Sequence, residues 1–412
     1  MTQIGPPATR THVRIAAWLL LALLALAIAE MAARIVFPLP EIRNFDRGRY
    51  SPQMVSGPLL AQATLAHASF IVESAPDNIA SVHKLNLYGF RDRDWRIAKG
   101  AAKRVLVLGD SMVEGFLASE EETIPRVLER LARSANEDVE VLNLGVGGAG
   151  LNHYIALVQD AAQILKPDEI VLVLHANDLL GSPTFTSDLV KTHTEATARS
   201  RWMPRIASTI ARVVRHQAVP RRWHQEPFSF FPSVPNPANP WTSNGEAYSK
   251  FVTPALAKAM REGRFNPFNT GEVQAYEHYL RQPVDIKPWL EFLKKFLGPR
   301  NIKFSVVYIP QPSQTTDHYM PFKQAYCPPG VPSLMGEPYQ QGATLVASQA
   351  RELGIPFLNL TAPIRDRESA GSHLYWDYDE HMRPSGYAFV AAAIQELRVG
   401  QPQDNKQKPS SQ

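Results

Sequence analysis

The chain has 412 residues, of which 44% are apolar and 20% charged, a composition typical of a folded protein with a sizeable core rather than of a disordered one. Its 43 basic and 39 acidic residues give a net charge of +4, far from the dense cationic surface that nucleic-acid binding needs. The single cysteine, Cys327, excludes an intramolecular disulfide and a multi-thiolate metal site. We therefore expect a fold held together by packing, and no nucleic-acid partner.

The N-terminal segment predicts a link to a membrane. After a polar start at 1–14, Ile15 to Ala29 is an uncharged apolar run, and apolar residues resume after Glu30 as far as Phe37. We predict a single-pass anchor over 15–37 in the inner (cytoplasmic) membrane, with 1–14 in the cytoplasm and the catalytic domain in the periplasm or otherwise outside the cytoplasm, because positive charge precedes the run. A cleaved signal peptide is the alternative, since the small residues at Ala27 and Ala29 suit a signal peptidase.

A mixed N-terminal extension over 38–100 precedes the main domain, which we place at 101–397. There, short apolar runs alternate with amphipathic stretches. The runs predict buried strands at Val105–Leu108, Val139–Leu144, Ile170–Leu174, Phe304–Ile309 and Pro356–Leu360. The stretches predict helices at Thr123–Ser134, Asn152–Leu165, Ile286–Leu297, Tyr339–Leu353 and Ser385–Leu397. This alternation predicts an α/β fold with a five-stranded parallel sheet between two helical layers, a flavodoxin-like three-layer α/β/α arrangement.

The alternation stops over 181–284, which we interpret as a cap-like insertion because it is too long for an ordinary loop. Its segment Arg199–Arg222 carries seven arginines and no acid, so it is a candidate contact for an anionic lipid or an anionic glycan. A solvated cationic helix packed on the domain explains the same pattern. The tail at 398–412, rich in Gln, Lys, Pro and Ser, is predicted to be disordered.

Polar side chains cluster at the predicted strand ends, where α/β sheets place reactive groups. Ser111 follows the first strand in the sequence Gly109, Asp110, Ser111, at the start of a helical stretch. A serine there is a candidate nucleophile, because backbone N–H groups and a helix N-terminus stabilise a developing oxyanion. The same residues are also common helix N-caps.

A polar loop before the last helix supplies a candidate base. It contains His381, with Asp379 two residues earlier, close enough for the carboxylate to hold one imidazole nitrogen. Asp377 is a second candidate acid. The glycine-rich stretch Asn143–Gly150 and the segment His175–Asp178 follow two other strands and offer backbone N–H groups and an Asn amide as oxyanion donors.

These four blocks together resemble the SGNH, or GDSL-type, hydrolase superfamily, in which Ser, Gly, Asn and His follow one another in this order, and in particular membrane-anchored bacterial envelope proteins of this type. The resemblance covers about residues 85–397. It implies that Ser111 is the nucleophile, His381 the base and Asp379 the acid that orients it. It also implies an oxyanion hole formed by the backbone amides of Ser111 and Gly148 with the side chain of Asn177.

The sequence departs from the family pattern at two points. The usual last block is Asp-x-x-His, but Tyr378 stands three residues before His381, so this chain has an Asp-x-His variant. Family members often have glycine before the Asn of the third block, Asn177 here, whereas this chain has His175 and Ala176 in those positions. The pocket beside the oxyanion hole is therefore expected to be bulkier and more polar.

The expected function is a serine esterase or an O-acyltransferase that works through an acyl-Ser111 intermediate, without a metal or an organic cofactor. Acyl or acetyl esters of cell-envelope or exopolysaccharide glycans are the expected substrates by analogy with exported relatives. A lipase-like or thioesterase-like enzyme acting on lipids is one alternative. A non-catalytic glycan-binding or polysaccharide-assembly factor on the same fold is another.

Overall fold

A computed structural model of the chain describes residues 8–36, 69–74, 77–180, 185, 228–229, 280–324 and 333–400. The first element is helix α1, Ala8–Val36. Within it, His12–Ala33 is long and apolar enough to cross a membrane, and its side chains are exposed rather than packed on the domain. A membrane span and a signal sequence share these properties. The predicted apolar N-terminal helix is thus present.

The centre of the fold is a parallel five-stranded sheet, which confirms the predicted fold class. Its strands, in chain order, are β3 (Lys103–Gly109), β4 (Val139–Gly145), β5 (Glu169–His175), β7 (Lys303–Ile309) and β8 (Phe357–Asn359). Their spatial order is β4-β3-β5-β7-β8, and all neighbours are parallel. This is the flavodoxin-like order, whose switch point lies between β3 and β5.

Helices follow the strands and cover both faces of the sheet. In chain order they are α2 (Ser111–Glu114), α3 (Ile124–Ser134), α4 (Leu151–Ile164), α5 (Lys287–Leu297), α6 (Met320–Gln324), α7 (Gln341–Glu352), α8 (Thr361–Ser369) and α9 (Pro384–Gly400). Helices α3 and α9 pack together on one face, and α5 packs with α4 and α7 on the other. Each of the five predicted helices matches one of these within a few residues.

The alternation of side chains along each strand divides the core into two layers. In β3, Leu106 and Leu108 belong to the layer beneath α4 and α5, whereas Val105 and Val107 belong to the layer beneath α3 and α9. All four are fully buried. The continuous apolar runs in the sequence therefore arise because both faces of each central strand are covered.

A second, smaller sheet precedes the main domain. Strands β1 (Ser69–Ser74) and β2 (Ile79–Lys84) form an antiparallel hairpin, and β6 (Phe228–Ser229) from the insertion pairs with β1 in parallel. The sequence did not predict these strands.

The boundary predicted at residue 101 does not coincide with a break in packing. Tyr88, Phe90 and Trp95 from the extension are buried in the main core, with Trp95 stacked on the ring of Tyr88. The described part of the extension is therefore built into the domain.

The C-terminal boundary also differs from the prediction. Helix α9 continues to Gly400, and Arg398, assigned to the disordered tail, is buried and pairs with Glu169 at 3.0 Å. The charge pattern of the tail concealed this, because a buried ion pair depends on a partner far away in the sequence. Residues 401–412, most of the insertion 181–284 including Arg199–Arg222, and 38–68 lie outside the described residues.

Candidate active site

The four sequence blocks meet at the carboxyl end of the sheet, around the switch point between β3 and β5. Ser111 is the first residue of α2, directly after β3, and Gly148 lies in the loop after β4. Asn177 lies in the turn that follows β5. His381 reaches the same place from the loop before α9. Parallel strands bring these residues together because all their carboxyl ends lie at one edge.

Ser111, His381 and Asp379 form a continuous hydrogen-bonded chain. The Ser111 hydroxyl lies 2.7 Å from His381 Nε2, and His381 Nδ1 lies 2.5 Å from Asp379 Oδ1. Asp379 selects the tautomer in which Nδ1 carries the proton, so Nε2 presents its lone pair to the serine hydroxyl. This arrangement can remove a proton from Ser111 as its oxygen attacks an electrophile.

The Asp-x-His spacing works because the carboxylate forms a local turn. Asp379 Oδ1 also accepts a hydrogen bond of 2.9 Å from the backbone N–H of His381. That bond turns the chain between the two residues, so that the imidazole of His381 contacts the carboxylate of Asp379, two residues earlier. The loop is closed by an antiparallel bridge between Tyr375 and Met382. One residue between acid and base is therefore sufficient here.

Asp377, the other candidate acid, is directed elsewhere. Its carboxylate lies 3.2 Å from His318 Nε2 and 3.1 Å from the Arg383 guanidinium. The ring of His318 in turn stacks on that of His373, with centroids 3.7 Å apart. Asp377 therefore belongs to a neighbouring cluster, and Asp379 is the carboxylate in contact with His381.

The electrostatics of His381 favour a base that holds its proton more tightly than usual. Burial lowers the pKa of His381, but the charge of Asp379 and its hydrogen bond more than offset this effect. The resulting pKa lies above the ordinary value of 6.5. The imidazolium formed during proton transfer is thus stabilised, as a general base requires.

Three hydrogen-bond donors from the first three blocks are the candidates for an oxyanion hole. The backbone N–H groups of Ser111 and Gly148 donate to no acceptor among the described residues. Gly148 has φ +73°, a left-handed conformation that favours glycine. Asn177 Nδ2 donates one hydrogen to Asp110 Oδ2 at 3.0 Å, which leaves its second hydrogen available. This is the donor set that the family resemblance implies.

Asp110, which belongs to the first sequence block with Ser111, holds the Asn177 side chain in place. Its Oδ1 accepts from the N–H of Met112 at 2.9 Å, while its Oδ2 holds Asn177. Asp178 is fixed by Tyr154 and by the N–H of His175, each at 2.9 Å. Burial raises the pKa of Asp178 well above its usual range, and the charge of Asp110 adds to this.

Several site residues escaped sequence reasoning. The Phe116 ring lies against His381, with centroids 4.9 Å apart, and the buried Arg91 donates to the backbone oxygens of Glu114, Gly115 and Ala118. The aromatic residues on either side of Arg91 in the sequence could have indicated that it is buried, and a buried arginine needs buried hydrogen-bond acceptors. Among the described residues, no group of three or more His, Cys, Asp or Glu side chains is arranged to hold a metal ion.

No family model and no curated protein matches the sequence. Solved structures do resemble it in fold. A lipase/acylhydrolase from Enterococcus faecalis has 13% identity and a TM-score of 0.36, covering 72% of this chain and 94% of its own.

Two acetylxylan esterases are similar to the same degree. One, described as an acetyl xylan esterase, has 12% identity and a TM-score of 0.37, covering 71% of this chain and 98% of its own. The other, from Geobacillus stearothermophilus, has 14% identity and a TM-score of 0.36, covering 74% and 96%. At these identities and TM-scores the likeness does not assign an activity. The arrangement of the four blocks in this chain is the one that the resemblance to the SGNH hydrolases implies.

Proposed function

We propose that this protein is a serine esterase of the SGNH type that cleaves acyl esters through a covalent acyl-Ser111 intermediate. The observation that carries the proposal is the unbroken chain from Asp379 through His381 to the Ser111 hydroxyl, with contacts of 2.5 and 2.7 Å. The free donors of Ser111, Gly148 and Asn177 beside it support the same chemistry.

The steps of the reaction follow from these contacts. Ser111 Oγ attacks the ester carbonyl carbon while His381 Nε2 takes the hydroxyl proton, and the carbonyl oxygen becomes an oxyanion held by the three donors. His381 then gives the proton to the departing alkoxide as the carbon–oxygen bond breaks, which leaves the acyl group on Ser111. A second hydroxyl, from water or from an acceptor alcohol, then loses its proton to His381 as its oxygen attacks the acyl carbonyl carbon. The bond between that carbon and Ser111 Oγ breaks, and His381 returns the proton to Ser111.

Labelling with a fluorophosphonate tests the nucleophile without knowledge of the substrate. We expect the wild-type protein to be labelled at Ser111 and to hydrolyse p-nitrophenyl acetate. Ser111→Ala should lose both properties and keep its fold, whereas Ser348→Ala, which alters an exposed serine on α7, should keep both. A folded wild-type protein that is not labelled would contradict the proposal and favour a non-catalytic glycan-binding or assembly factor.

We further propose acyl or acetyl esters of cell-envelope or exopolysaccharide glycans as the substrates. The support is the family resemblance together with the candidate membrane helix α1, which would hold the domain beside such polymers. Incubation with acetylated glycans, lipid esters and acyl thioesters, followed by mass spectrometry, separates this class from the lipid and thioester alternatives. Adding a non-acetylated oligosaccharide acceptor separates transfer from hydrolysis.

We also propose that residues 15–37 remain attached as a single anchor in the cytoplasmic membrane, with the catalytic domain on the outer side. The candidate span His12–Ala33 supports an anchor by its length and composition. N-terminal sequencing of the membrane fraction should find the uncleaved chain, resistant to carbonate washing. A mature chain that begins near Glu30 and is released by washing would establish a cleaved signal peptide.

A further inference from the structure

A buried carboxylate that takes no part in the proton transfer lies directly behind the segment 145–148 at the end of β4, which we call the oxyanion loop. Glu114 is the last residue of α2, three positions after Ser111, and its side chain is fully buried. One carboxylate oxygen, Oε2, accepts a hydrogen bond of 2.7 Å from the backbone N–H of Gly147. Gly147 immediately precedes Gly148, the predicted oxyanion donor.

Glu114 is itself held from several directions. Its Oε1 lies 3.1 Å from Nδ1 of His83, which is also fully buried. Its backbone oxygen accepts from the Arg91 guanidinium at 3.1 Å, and its backbone N–H donates to the backbone oxygen of Asp110 at 3.0 Å. Buried carboxylates are normally paired and hydrogen-bonded, and these contacts fix the position of the Glu114 side chain and of its backbone.

The oxyanion loop and the nucleophile turn are in direct backbone contact. A Cβ added at Gly145 would lie 2.1 Å from the Glu114 nitrogen, and one added at Gly147 would lie 2.9 Å from the Phe116 ring. The N–H of Val146 donates to the oxygen of Gly109 at 3.0 Å. With this close packing, a shift of the Gly147 peptide would also displace the next N–H, that of Gly148.

His83 reaches this cluster from outside the parallel sheet. It lies on β2, where inward residues Ser81 and His83 alternate with the exposed Ala80, Val82 and Lys84. Its ring also meets Phe116 edge-on, with centroids 5.1 Å apart, and Phe116 lies against His381. The hairpin that follows the N-terminal helix thus contacts two residues next to the site, Glu114 and Phe116.

We infer that Glu114 is a positioning residue that holds the Gly147–Gly148 segment in place for oxyanion binding, and that His83 of the β1–β2 hairpin keeps the Glu114 carboxylate in that position. The inference rests on the proposed esterase function. Neither residue touches the reacting atoms. Their effect is exerted through the direction of the Gly148 N–H, so it should appear in the transition state and not in ground-state binding.

The test uses the full-length protein with p-nitrophenyl acetate as substrate and phenylboronic acid as a tetrahedral analogue that places an oxygen in the oxyanion hole. For Glu114→Ala we expect kcat to fall about 10- to 100-fold with KM nearly unchanged, less than the roughly 10²–10³-fold loss typical of removing an oxyanion donor. The Ki of the boronate should rise by a similar factor, because the analogue needs the same donors.

Two further variants separate positioning from general structural damage. Glu114→Gln keeps an acceptor oxygen for Gly147 and should recover most of the lost kcat, and His83→Gln should show a smaller loss than Glu114→Ala. Glu169→Ala is the matched control, because it removes an equally buried carboxylate, bonded to Arg398, from the opposite end of the sheet. It should lower the melting temperature and leave kcat and Ki unchanged.

The inference would be overturned if Glu114→Ala, folded by circular dichroism, kept wild-type kcat and boronate affinity, or lost no more of them than Glu169→Ala. In both cases an active, labelled wild-type enzyme leaves the proposed function intact. A wild-type protein that is neither labelled by a fluorophosphonate nor active on any ester would overturn the proposed function, and the inference with it.

Discussion

Buried charged residues occur at both ends of the five-stranded sheet, but they are arranged differently. At the amino ends of the strands, Arg104 pairs with Glu140 at 2.8 Å, and Glu169 pairs with Lys103 and Arg398 at 3.0 Å each. Each of these groups has a partner of opposite charge. They join strands β3, β4 and β5 to one another and to helix α9.

At the carboxyl ends, hydrogen-bonding capacity is left unused. The N–H groups of Ser111 and Gly148 donate to nothing among the described residues, and Asn177 Oδ1 is buried without a partner there. Unsatisfied polar groups are costly unless a ligand uses them. The comparison teaches that the ion pairs at the amino ends join the strands to one another, whereas the donors left available beside the Ser111 hydroxyl at the carboxyl ends can serve a ligand.

The largest effect on kcat, and so the strongest test of the chemistry at the carboxyl ends, is expected from replacing the acid Asp379. Asp379→Asn should lower kcat by about 10⁴, because an amide cannot hold His381 in the tautomer that accepts the serine proton. Asp377→Asn is the matched control, and its kcat should stay close to the wild-type value, since Asp377 contacts His318 and Arg383. Equal losses in the two variants would show that the acid is misassigned. The measurement is steady-state hydrolysis of p-nitrophenyl acetate.

Removal of the Asn177 side chain should have the next largest effect. Asn177→Ala deletes one of three oxyanion donors, so kcat should fall by about 10²–10³ while KM changes little. Asn152→Ala provides a control at the start of α4, where the amide oxygen accepts from Trp289 at 2.7 Å and the side chain makes no hydrogen bond to the triad or to Asp110 among the described residues. A wild-type kcat for Asn177→Ala would exclude its side chain from the oxyanion hole.

The pH dependence of kcat/KM sharpens the assignment of the base. His381 must be neutral to accept the serine proton, so activity should fall about tenfold per unit of pH below its pKa. Because Asp379 raises that pKa, the midpoint of the acid limb should lie above 6.5. In Asp379→Asn the raising charge is gone, so the midpoint should move to lower pH. A midpoint that does not move would show that the acid limb of the profile does not report the ionisation of His381.

The smallest effect on catalysis is expected at the opposite end of the sheet. Arg398→Ala removes one of the two cationic partners of the buried Glu169 and leaves Lys103 in place. The free energy of unfolding should therefore fall, but by less than the loss of about 3–5 kcal/mol typical of a buried charge left without any partner. The kcat of the folded protein should not change. Chemical denaturation and kinetics on the same preparation check both expectations, and a loss of kcat without a loss of stability would contradict the division between the two ends.

Much of the fold was accessible from local patterns. Five apolar runs and five amphipathic stretches predicted the five strands of the main sheet and the helices α3, α4, α5, α7 and α9, because burial on both faces gives strands a continuous apolar run. The position of Ser111, Asp379 and His381 at strand and loop ends also predicted which side chains would meet. Their catalytic roles stay predictions until the variants are measured.

Other features depended on contacts between distant parts of the chain. The tertiary structure decided where Asp377 lies, because both carboxylates are close to His381 in sequence and the fold of the loop turns Asp377 towards His318 and Arg383. It also decided that His83, 31 residues before Glu114, contacts the Glu114 carboxylate, and that Arg398 belongs to the core. A single buried polar residue has no periodicity to reveal it, because its place is determined by the partner that satisfies it.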